Sequence, residues 1–73
     1  MDFIIEDSSE KGVFVSREDY NHFFRYLDKI HINEEAFIFR IRDNVKIGTI
    51  EMDLESRLLA WISLGNSITF TRY

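Results

Sequence analysis

Residues Leu58-Leu59-Ala60-Trp61-Ile62-Ser63-Leu64 are apolar at six of seven positions. Successive strand residues face opposite ways, so a strand built from this run is apolar on both faces, and both must be covered. The chain offers one good amphipathic helix, Arg17 to Ile30, and a helix of that length lies over one side of a small sheet but not two. The second cover is then the chain itself closed into a barrel, a second copy, or a different protein. With a single helix to hand, an interface is the expected solution.

A chain of 73 residues has room for one domain, residues 1–73, and its core leaves little margin over the entropy of ordering it. There is no Cys, hence no disulfide and no thiolate zinc site. Packing must supply the stability. Seven Phe, three Tyr and one Trp make up 15% of the residues, a payload that argues for a folded domain rather than disorder. The start, Met1-Asp2-Phe3-Ile4-Ile5-Glu6-Asp7, is acidic where a secretion signal is basic, and no apolar stretch nears the roughly 20 residues that span a bilayer. A cytoplasmic location, with no membrane partner, is the expectation. The formal charge of −4 disfavours nucleic acid and favours a basic partner.

Phe3 to Glu6 and Val13 to Ser16 read as short strands joined by a polar loop ending in Gly12. Ser16 is placed as a helix N-cap, with Glu18 and Asp19 in the first turn. Tyr20, Phe23, Phe24, Leu27 and Ile30 then fall on one helical stripe, while Glu18, Asn21, His22, Arg25 and Lys29 face away. A polar connection around Asn33-Glu34 leads to Ala36 to Ile41, with Phe37, Phe39 and Ile41 on its apolar face. A loop at Arg42-Asp43-Asn44 would pair Ile41 with Val45, Phe39 with Ile47 and Phe37 with Thr49. The apolar phase then shifts to Ile50, Met52 and Leu54, which a bulge at Gly48 or Thr49 accommodates. A last hairpin turns at Gly65-Asn66, and its register decides the face of Trp61; a three-residue loop sets Leu59, Trp61 and Tyr73 on the side away from the helix. The expected fold is α+β: a single helix on a curled antiparallel meander, in the order β-β-α-β-β-β-β.

Candidate sites are few. Glu51, Asp53 and Glu55 alternate along a presumed strand, which spaces three carboxylates about 7 Å apart on one side. This ladder reads first as a solvated face and second as a contact for a basic partner. A metal site is disfavoured, because Ca²⁺ wants six or more oxygens in a wrapped loop. Phe37-Ile38-Phe39-Arg40-Ile41-Arg42 interleaves rings and arginines as RNA-binding sheets do, but the Phe and Arg fall on opposite faces. His22 on the polar helix face and His31 past the helix end have no partner spaced for a triad. The remaining set, Leu59, Trp61, Tyr73 and Ile38, forms the expected partner or oligomer interface.

The function expected from these readings is a small acidic interaction module without catalysis or cofactor. It acts by occluding another protein and self-associates; a short acidic open reading frame with its initiator Met fits an inhibitor, antitoxin-like or anti-defence role. The alternative is a homo-oligomer that binds or sequesters a small ligand in an aromatic cavity.

Overall fold

Alternating inward and outward residues build the centre of the molecule, as described for residues 1–70 by a computed structural model. The order is β1 (Asp2–Asp7), β2 (Val13–Val15), α1 (Arg17–Asp19) continuing as a π-helical segment (Tyr20–Phe24), β3 (Lys29–Ile32), β4 (Glu35–Ile38), β5 (Arg40–Ile41), β6 (Thr49–Met52), α2 (Leu54–Ala60) and β7 (Ser67–Thr69). The result is a small mixed α/β domain, mostly strand. Among the described residues it carries two helical segments instead of one.

The main sheet has the order β5-β2-β6-β1-β7, and β3 and β4 form a separate hairpin. Three pairings are antiparallel (β1 with β7, β2 with β6, β3 with β4), as expected for this class. Two are parallel, β1 with β6 and β2 with β5, so the strand order is not that of a simple meander. β6 inserts between β1 and β2, pairing Ile5 with Ile50 on one side and Val15 with Ile50 on the other. The expected pairing of Phe37, Phe39 and Ile41 with Thr49, Ile47 and Val45 does not form. Residues 42–48 instead make a connection, held where the buried Asp19 carboxylate accepts the Gly48 N–H at 2.8 Å.

Period-2 alternation sends Phe3 and Ile5, Val13 and Val15, and Ile50 and Met52 into the core. Phe24, Ile30, Ile32, Phe37 and Ala60 complete that core from the other elements. Phe3 is its hub: its ring lies 5.3 Å from Phe24 and 5.5 Å from Phe70, within the separations that aromatic pairs favour. The opposite side of the sheet carries Asp2, Ile4, Glu6, Phe14, Thr49 and Glu51. Among the described residues it is largely polar, and its aromatic Phe14 is covered by the Arg42 guanidinium, 3.7 Å from the ring centroid. Among the described residues no second apolar sheet face needs covering, and β5 and β7 are the edges of an open sheet rather than the seam of a barrel.

The helix from Arg17 stops at Phe24 and not at Ile30. Its start is as expected, with Ser16 Oγ accepting the Asp19 N–H at 3.0 Å. Beyond it, Lys29-Ile30-His31-Ile32 alternates exposed and buried, and Asn33 and Glu34 both take positive φ (50° and 72°), as a two-residue hairpin turn demands. Ile30 satisfies both the 3.6 period of the helix and the 2.0 period of the strand, which is why the helical stripe extends too far in the sequence. Leu27 consequently lies outside the core, 47% exposed. Phe37 and Phe39 do pack in or against the core, as their alternation predicts.

Candidate functional site

The apolar run 58–64 is not a strand. Leu54 to Ala60 form α2, with Asp53 at the N-cap. Its end is a Schellman motif: the Trp61 N–H donates to the Leu58 carbonyl at 3.3 Å and the Ile62 N–H to the Arg57 carbonyl at 3.0 Å. The position that closes this motif takes a left-handed backbone, for which Gly is the usual residue. Here it is Trp61, at φ 56° and ψ 44°.

α2 is held to the body of the protein by polar groups. Asp53 Oδ1 accepts the Gly12 N–H at 3.2 Å and the Ser56 hydroxyl. Arg57, only 9% exposed, donates through Nη1 to Asp7 Oδ1 and to the Met52 carbonyl, both at 2.6 Å. Asn33 Nδ2 reaches from the β3–β4 turn to the Ala60 carbonyl at 2.9 Å and satisfies an orphan acceptor of the helix end. With Arg57 and Ala60 inward, the apolar side chains are turned to water. Leu54, Leu58 and Trp61 follow the i, i+4, i+7 spacing of one helical stripe, Leu58 being 68% and Trp61 91% exposed. Leu59 and Leu64 are exposed beside them. A shallow depression of about 310 Å³ lies among Leu58, Trp61 and Ile62.

The expected interface set is thus placed unevenly. Leu59 and Trp61 both project from α2 and its cap. Ile38, 72% exposed, pairs with Lys29 at the open end of the hairpin, about 15 Å along the strand from the turn that touches α2. Tyr73 lies outside the described residues.

Glu51, Asp53 and Glu55 do not form a ladder, because the strand ends at Met52 and a helix begins at Leu54. Glu51 accepts from Arg42 Nη1 at 3.3 Å. Asp53 caps α2. Glu55 pairs loosely with Lys11 at 3.7 Å on the surface, a separation that contributes little in water. Each carboxylate thus has its own local partner. Burial of the Asp53 carboxyl works to raise its pKa, but the hydrogen bonds it accepts, from the Ser56 hydroxyl and the Gly12 N–H foremost, outweigh this and hold it below the ordinary 3.8.

Arg42 organises the outer side of the sheet, stacked on Phe14 and ion-paired with both Glu51 and Glu10. These groups neutralise one another. His22 and His31 are both exposed, and His31 sits in β3 rather than at a helix end. They share a larger cleft, of about 630 Å³, between the π-helical segment, β3 and the end of β7. The sequence reading leaves this cleft out, because it needs the helix to stop at Phe24. Among the described residues no group of His, Asp and Glu is arranged to hold a metal ion, and no helix is long and apolar enough to cross a membrane. No protein-family model, curated protein or solved structure matches the chain.

Proposed function

We propose that this chain is a non-catalytic protein-interaction module of the cytoplasm, which occludes a surface on another protein through the outward side of α2 and its cap. Free chains self-associate through the same side. Trp61 carries the reading. A non-glycine residue in the left-handed region costs about 1–2 kcal/mol, and a side chain 91% exposed recovers none of it in core packing. The Schellman hydrogen bonds account for the left-handed backbone but not for an indole placed in water on it, and that choice of side chain is accounted for by a contact outside the monomer. Leu54, Leu58, Leu59 and Leu64 surround Trp61 with apolar area, and a Trp ringed by leucines has the composition of an interface centre. Acidic net charge and local polar anchoring of α2 fit an inhibitor-type role, in which a rigid apolar knob is presented on a soluble body.

The test uses sedimentation together with site-specific photocross-linking in the native host. Wild-type chain is expected to shift from monomer to a larger species across the micromolar range, with Trp61 emission moving to the blue as it is buried. Leu58→Glu, at an exposed position, should remain folded and monomeric. A photoreactive residue at position 58 should give a discrete protein adduct that one at Asp43 does not. Identical cross-linking from both positions, with a monomer at every concentration, would rule the module out.

A further inference from the structure

The cleft beside the π-helical segment is chemically unlike the rest of the chain. Acidic residues outnumber basic ones by 13 to 9 overall, yet the lining of the cleft holds Arg25, Lys29, His22 and His31 and, among the described residues, no carboxylate. Elsewhere among the described residues most cations lie beside a carboxylate: Lys11, Arg17, Arg42 and Arg57 each have one within ion-pair distance. Arg25 and Lys29 have none within ion-pair distance among the described residues. Arg40 and Lys46 share that condition but lie away from the cleft, in β5 and the connection after it.

The walls are aromatic. Tyr26 and Phe70 line the cleft, and the Arg25 guanidinium sits 5.4 Å from the Tyr26 ring centroid. A guanidinium held beside an exposed ring is a platform on which a flat heterocycle stacks. The volume, about 630 Å³, falls within the few hundred to about 1,000 Å³ typical of small-molecule sites. A phosphate monoester carries a charge of roughly −1.5 to −2 near neutral pH, which the permanent cations Arg25 and Lys29 balance. Arg25 supplies a planar fork and Lys29 a mobile point charge, the pair of geometries used on phosphate oxygens.

We propose that this cleft binds a small aromatic anion of the nucleoside-phosphate class, its phosphate against Arg25 and Lys29 and its ring against Tyr26 and Phe70. A nucleic-acid strand is the poorer fit, since the body is acidic overall and the other uncompensated cations, Arg40 and Lys46, lie away from the cleft and do not extend it as a stripe. The site is separate from the α2 face, for among the described residues none lines both depressions. It stands or falls independently of the interaction role.

The experiment is an amide-resolved NMR titration of the full chain with the common ribonucleoside monophosphates, with the parent nucleosides, and with inorganic phosphate. At least one monophosphate is expected to saturate, moving amides of residues 21–31 and 69–70, and to bind roughly tenfold more tightly than its nucleoside or phosphate alone. Arg25→Ala and Lys29→Ala should each weaken it roughly tenfold, and Tyr26→Ala by a similar factor. All three side chains are exposed, so the variants should keep the wild-type spectrum elsewhere, which separates lost binding from lost folding. The proposal is overturned if no monophosphate saturates, if phosphate alone binds as well, or if the shifts survive Arg25→Ala. It is equally overturned if single-stranded oligonucleotides bind with an affinity that climbs with length, because that marks a nucleic-acid surface.

Discussion

The two helical segments treat their side chains in opposite ways. The one from Arg17 to Phe24 turns Phe24 fully inward and leans Tyr20 and Phe23 on the core. α2 turns Arg57 and Ala60 inward and leaves Leu54, Leu58 and Leu59 in water. The first is held mainly by apolar burial, the second by hydrogen bonds: Asp53 accepts the Gly12 N–H, Arg57 donates to Asp7 and the Met52 carbonyl, and Asn33 donates to the Ala60 carbonyl. Apolar character alone therefore does not decide what is buried. A short helix whose ends are tied down has its rotation fixed by those ties, and the residues on its far side are exposed whatever they are.

The sharpest way to test this contrast is to remove the anchor of each segment. Phe24→Ala should cost about 3–5 kcal/mol, a large part of the roughly 5–15 kcal/mol that folds a domain. The chain should lose its cooperative thermal transition; a drop of only a few degrees would mean that the first segment is not fastened by burial. Arg57→Met keeps the length of the stem and removes the donors to Asp7 and the Met52 carbonyl, at a cost of about 2 kcal/mol. Hydrogen exchange should then quicken in residues 54–60 before the rest of the chain. If Met at this position stabilised the protein, the polar tie would not be what orients α2.

A smaller effect is expected from the N-cap. Because the folded pKa of Asp53 is depressed, its charge contributes stability that is present above the unfolded value near 3.8 and is lost as pH falls through the folded value. Asp53→Asn should cost under about 1 kcal/mol at neutral pH, as suits a half-buried group partly screened by water. It should also flatten the stability curve below pH 4. A curve of unchanged shape in the variant would remove Asp53 from the account of how α2 is held. Trp61→Gly should have the smallest effect on folding and the opposite sign, raising stability by up to about 1 kcal/mol through relief of the left-handed backbone. Denaturant unfolding of a variant kept monomeric would measure it. Destabilisation there would show that Trp61 supports the fold and would remove the main reason for placing it in an interface.

Much of the core was legible in the chain. Phe3 and Ile5, Val13 and Val15, and Ile50 and Met52 alternate, and the structure buries each pair on one side of the sheet. Ser16 as an N-cap and Phe24 in the first helical segment were also readable. Two segments were not. Lys29 to Ile32 continue the helical period through Ile30, and only the pairing of Ile30 with Phe37 across the Asn33-Glu34 turn selects the strand. Leu54 to Ala60 follow an Asp at the N-cap position, but the residue that ends the helix is a Trp where Gly would have been the signal. An unbroken apolar run fits a buried strand or a helix equally well until its neighbours are known.

By itself, then, the sequence determined which residues alternate, where the first helical segment starts, and that a chain without cysteine must fold by aromatic and aliphatic packing. Tertiary structure decided the rest. β6 lies between β1 and β2 because its two neighbours each offer it a complementary inward row, a pairing between segments more than thirty residues apart that no local period encodes. The orientation of α2 follows from Asp7 and Met52 meeting Arg57, and the cleft with its cations follows from a helix that ends at Phe24 instead of Ile30. These are contacts between distant positions, whose energy exists only once the chain has folded around them.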